Sequence, residues 1–379
     1  MFRKIILASY IAFLFLNPSA STAKDSSKSE WVFVAAKKGI LAYRMNLGTG
    51  AMTPLGVVGE VADPGFLAVH PNDRFLYSVN SAKIGGENVG VVSAFSVEPE
   101  TGKLTFLNQE PSGGGGPTHL AVDHAGKNLL VANYGSGSVA AFPIQKNGSL
   151  NSASAFIQHS GSSVDPARQA GPHAHSITAD PGDHFVLSCD LGLDKVLVYK
   201  FDPTKGSLAA NDPAFGSVKP GAGPRHHAFH PNGKYLYVIN ELDSTMTAFA
   251  YDAKRGALKE FQTLSTLPDG FTGKSYPAEV AVHPSGKFLY GSNRGHDSIV
   301  VFGIDKKTGS LNVLQHQSTA GKFPRHFEID PTGNFLLAAN QDSGNVVNFR
   351  IDSKTGKLTP LGVVSQVEVP LCVKCLPPR

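Results

Sequence analysis

The chain has 379 residues, long enough to bury a sizeable core and too long for a small disulfide scaffold. Charged residues make up only 17% of it, which excludes a disordered chain, a coiled coil or a long-helix protein. A formal net charge of +4 is too small and too scattered for a nucleic-acid surface, while 40 Gly and 25 Pro point to many turns and hence many short strands.

Residues 1–23 read as a secretory signal peptide. Arg3 and Lys4 supply the positive start, Ile5 to Leu16 an apolar run, and Ser21, Thr22 and Ala23 small residues for cleavage. The run is far shorter than the roughly 20 residues of a spanning helix. The expectation is cleavage after Ala23, a periplasmic or secreted mature chain without membrane attachment, and a single domain over 24–379.

From Trp31 onward a repeat of about 50 residues runs through the chain. One signature is Gly-x-Leu or a close relative after a charged turn. It begins at Gly50, Gly102, Gly148, Gly206, Gly256, Gly309 and Gly356. A second signature precedes most copies. The clearest runs from Pro224 to Asn240 and recurs at Pro277 to Asn293 and Pro324 to Asn340. Looser copies lie at Pro64 to Asn80, Pro117 to Asn133 and Ala174 to Asp190. Each alternates apolar and polar residues, turns at a motif such as Pro231-Asn232-Gly233, and continues in a β-rich run. Two further strands complete the unit. Four strands in about 50 residues predict a propeller blade, and the whole chain an all-β, seven-bladed propeller.

Seven copies of the second half stand against six of the first. Residues 370–376 supply the missing strand, so the C-terminal strand should complete the blade that Trp31 begins and leave no free edge. Gly113 to Gly116 reads as a link between blades, since no Lys-Ser/Thr follows to hold phosphate. Cys372 and Cys375, with Cys189, read as buried strand cysteines rather than a metal or redox pair.

In this architecture the start of strand one and the end of strand two meet on one face. The turn between them lies on the other. His70, His230 and His283 fall at the turn and read as turn-forming. The near-uniform Asn80, Asn133, Asp190, Asn240, Asn293 and Asn340 at the end of strand two read as structural. The variable positions on the mouth face carry His175, Arg225, Glu241, Arg294 and Arg325, clustered in adjacent blades. Arginines hold carboxylate or phosphate, and an imidazole with a carboxylate can serve as acid and base. There is no Gly-x-Ser-x-Gly elbow, Walker loop or His-Glu-x-x-His motif.

The chain resembles the seven-bladed β-propeller lactonase family. Its members include propeller-type 6-phosphogluconolactonases and carboxymuconate-lactonizing enzymes. The resemblance spans 31–375 and rests on Gly171-Pro172-His173-Ala174-His175-Ser176, Gly223-Pro224-Arg225-His226, Asn240-Glu241-Leu242-Asp243-Ser244, Ser292-Asn293-Arg294-Gly295-His296-Asp297-Ser298 and Phe323-Pro324-Arg325-His326-Phe327. It implies a lactonase that opens an anionic sugar-acid lactone by water attack, with no metal or cofactor, acting as a monomer without nucleic acid. Its site residues fall on His175, Arg225, Glu241 and Arg294, with His173 the alternate histidine and either Glu241 or His175 as base. His173, Arg325 and His326 are expected to bind substrate. Export sits poorly with a cytosolic sugar phosphate. A secreted binding module and a lactonizing cycloisomerase remain open as alternatives.

Overall fold

The alternating pattern of each repeat unit becomes a β-meander in the computed structural model, which describes residues 29–377. The expected signal peptide, 1–23, lies outside the described residues. These form seven four-stranded antiparallel sheets and no helix. Six blades are built from consecutive strands, for example Pro224–Phe229, Tyr235–Asn240, Thr245–Asp252 and Ala257–Ser265. The remaining blade joins the two ends of the described chain. Cys372–Leu376 pairs antiparallel with Ser29–Ala36, from Ala35 opposite Cys372 to Trp31 opposite Leu376. We count this seam blade as the first and number the others in chain order.

The innermost strands surround the axis. In ring order they are Cys372–Leu376, Ala62–Val69, Pro117–Val122, Ala174–Ala179, Pro224–Phe229, Tyr276–Val282 and Pro324–Ile329. Apolar side chains pack between the faces of neighbouring sheets rather than in one central core. Between blades five and six, Tyr237 and Ile239 meet Val280, Leu289 and Phe302, all buried. Cys189, Cys372 and Cys375 are buried strand residues with free thiols.

Both sequence signatures have a structural cause at the blade boundaries. In six of its seven copies the Gly of Gly-x-Leu lies against an aromatic ring of the preceding blade; Gly206 meets Asn128 instead. At Gly309, where φ is +75°, an added Cβ would stand 2.6 Å from the ring of Tyr235. The carbonyl there accepts from the Tyr237 hydroxyl at 2.9 Å. The same bond joins Tyr77 to Gly148 and Tyr290 to Gly356. The turn histidines act as staples. His230 accepts the N–H of Asn232 at Nδ1, so Nε2 carries the proton and donates to the Gly286 carbonyl of the next blade at 2.8 Å. His70 reaches Gly126 and His283 reaches Gly333 likewise. Asn133, Asn293 and Asn340, which end strand two of their blades, tie it to strand three and to the blade before. Asn293 Nδ2, for instance, donates to Ser298 Oγ and Thr266 O.

Candidate active site

The mouth of the channel opposite those turns is shaped by a recurring irregularity. In blade four Ala174 pairs with Asp190 and Ser176 with Cys189, so His175 is an extra residue with no partner in the ladder. Arg225 in blade five and Arg325 in blade seven are left out in the same way, as is Thr118 in blade three. Such a bulge re-aims a side chain without ending the strand. In blade six Pro277 pairs with Asn293 and Val280 with Gly291, so both Ala278 and Glu279 are displaced.

Three of the re-aimed residues, Thr118, His175 and Arg325, line a cavity of about 250 Å³ together with Tyr134, Arg168, Glu241 and Arg294. Glu241, directly after the strand Tyr235–Asn240, organises it. Its Oε1 accepts from Arg168 Nη2 at 2.6 Å, and its Oε2 from Arg294 Nη2 at 2.6 Å and Arg225 Nε at 3.1 Å. Burial favours the neutral acid, but Arg294, Arg225 and Arg168 outweigh it and bring the Glu241 pKa down to about 2. The carboxylate is therefore ionised and fully engaged.

Each arginine is held differently. Arg225 is among the most buried large side chains, and its Nη1 also donates to Ala278 O at 2.7 Å. Arg294 donates to Tyr276 O at 2.8 Å and lies 5.0 Å over the ring of Phe323. Arg168 stands on the loop between blades three and four with a partly exposed side chain, 3.5 Å from the Tyr134 hydroxyl. Arg325 makes no hydrogen bond with its guanidinium among the described residues. Four guanidiniums against one carboxylate leave the mouth strongly positive.

His175 is buried beside Tyr134, whose ring stands 5.3 Å away edge-on. Burial, aided by Arg225, holds its pKa well below the usual imidazole range, so the ring is neutral. The residues anticipated from the sequence thus converge, with two differences of position. His173 stacks on the outer face of Tyr134 at 4.6 Å and is absent from the cavity lining. His326 lies deeper, with one nitrogen 3.3 Å from Glu279 and the other accepting the Val373 N–H. Arg168 and Glu279 were not anticipated in the site, and Tyr134, at a mouth-facing position equivalent to Glu241, was not singled out for it. Arg168 belongs to no repeat unit, so no internal alignment could place it. Among the described residues no group of three or more His, Cys, Asp or Glu is arranged to hold a metal ion.

A family model for the seven-bladed β-propeller lactonases matches residues 26–375. The chain belongs to this family. The lactonase is 38% identical over 281 residues to the 6-phosphogluconolactonase of Bacillus subtilis, covering 74% of this chain and 78% of the relative. It is 36% identical over 283 residues to the 6-phosphogluconolactonase of Formosa agariphila, with the same coverages. Among solved structures, the periplasmic gluconolactonase of Pseudomonas aeruginosa superposes with a TM-score of 0.87 at 32% identity, over 93% of this lactonase and all of that chain.

Proposed function

We propose that this lactonase hydrolyses an anionic sugar-acid lactone to the open hydroxy acid by direct attack of water, without a covalent intermediate or a required metal. The observation that carries this is the cavity itself: three guanidiniums and a neutral imidazole line it, with a single carboxylate already engaged by two of them and by Arg225 behind it. Fixed cationic donors in a partly desolvated site suit both an anionic substituent and the oxyanion that forms at the ester carbon. Arg294 and Arg325 face the substrate. Arg225, saturated by Glu241 and Ala278, positions the carboxylate, which in turn orients Arg168 and Arg294. The relatives named for phosphogluconolactone and gluconolactone support a sugar-acid lactone without choosing between phosphorylated and plain forms. A hydrolysis screen of both forms, with and without chelator, tests the reading: turnover should be faster with the phosphorylated lactone and indifferent to chelator. No turnover of any lactone would refute it.

We also infer export, from the basic, apolar and small-residue order of residues 1–23. The Pseudomonas aeruginosa neighbour, itself periplasmic, supports it. Mass spectrometry of the native protein should find a chain starting at Lys24; an intact Met1 in a cytosolic fraction would refute it.

A further inference from the structure

Below the cavity the channel narrows to a throat of about 10 Å³, lined among others by Thr118, His175, Arg225, His226 and Arg325. That volume is at the lower bound for one water molecule. Two buried ring nitrogens of the lining, His175 Nδ1 and His226 Nε2, have no hydrogen-bond partner among the described residues. Their ring centroids are 5.1 Å apart. Buried polar atoms are rarely left bare, and a water bridging two of them is the usual resolution.

The protonation of His226 is set by its other nitrogen. Nδ1 lies 3.0 Å from Glu279 Oε2. Glu279 is held as an acceptor on both oxygens, since Oε1 accepts the N–H of Val280 at 3.1 Å and Oε2 also meets His326 Nε2 at 3.3 Å. Nδ1 of His226 therefore carries the proton, and Nε2 presents a lone pair to the throat. Burial, with Arg225 next, keeps this imidazole neutral. Glu241, by contrast, has both oxygens engaged by arginines and presents no bare acceptor to the throat.

We propose that a single water molecule sits in the throat between His175 Nδ1 and His226 Nε2, and that it is the nucleophile, with His226 as its base and Glu279 as the residue that orients His226. The inference rests on the lactonase reading above. The water oxygen bonds to the lactone carbonyl carbon while one of its protons passes to His226 Nε2. Arg325, which lines both the throat and the cavity with a free guanidinium, meets the oxyanion. Collapse breaks the ring C–O bond, and the leaving oxygen takes the proton back from His226. The new carboxylic acid then ionises and releases its proton to solvent.

The test is steady-state kinetics of His226→Gln and Glu279→Gln on the best lactone of the screen, with hydrolysed product titrated by calorimetry. A lost base should lower kcat about 10²-fold or more for His226→Gln, and Glu279→Gln should lower it about tenfold, while KM and product affinity stay within about threefold. If unaltered protein turns over lactone and both variants keep kcat within threefold, the inference falls and the lactonase reading stands. If unaltered protein turns over none, both fall. Should the variants not fold, a high-resolution crystal structure of unaltered protein decides: an ordered water within about 3.2 Å of both nitrogens is expected, and an empty throat overturns the proposal.

Discussion

Removing the charge of Glu241 would leave Arg168, Arg225 and Arg294 facing one another without a counter-ion. The native carboxyl titrates near 2 rather than near 4.5. Because the folded value is the lower one, its contribution is present above about pH 4.5 and is lost as pH falls towards 2. A shift of that size is on the order of 3 kcal/mol. Urea unfolding of the wild type should therefore lose stability between pH 4.5 and 2.5 more steeply than that of Glu241→Gln; equal slopes would show that the carboxylate is not held by its arginines. Arg168 plays a different part. It is the one loop-borne arginine of the cavity and is about one-third exposed. A hydrogen bond between charged groups is worth about 1.5–3 kcal/mol. Arg168→Ala should raise KM about 10- to 100-fold with kcat changed less than about threefold. A fall in kcat at constant KM would instead place Arg168 in the chemistry.

The strand is the scale at which the sequence was most legible and also where it stopped. Alternation, the turn motifs and the uneven count of half repeats were enough to predict seven blades and the closing strand. They also brought His175, Arg225, Glu241 and Arg294 to one mouth, because equivalent positions of equivalent strands point the same way. A bulge, however, leaves no composition signal. In blades four, five and seven it displaces one residue, so the internal alignment still named the right side chain. In blade six it displaces two, Ala278 and Glu279, so the position that follows the strand's proline, which Arg225 and Arg325 hold in their blades, is an alanine, and Glu279 stands one residue beyond it. Loops were less legible still. Arg168 reaches Glu241 across 73 positions of sequence, from a segment that repeats nowhere.

For the whole molecule, closure is the feature on which cooperative stability should depend. Each sheet packs against two neighbours, and the seam blade does so only with a strand from each end of the described chain. Deleting residues 368–379 would expose the edge of Ser29–Ala36 and uncover Val32 and Val34, now fully buried. Thermal unfolding should then lose its single sharp transition. A truncated protein that melts like the intact one would mean that the ring does not need this strand.

The residues left out of the ladder near the start of the inner strands have a consequence for how such an enzyme can change. A side chain outside the ladder supports no hydrogen-bond register, so exchanging it disturbs none. The frame and the reactive groups are thereby under separate constraints: one set of residues keeps the ring shut, and another, a few at each mouth position, can be rewritten. Thr118 and Gly65 occupy such places beside the histidine and the arginines. A descendant that placed a charge or an aromatic ring there would acquire a different appetite for ligands on an unaltered scaffold. A single architecture could in this way diversify over many ring-shaped esters by local exchange, without refolding.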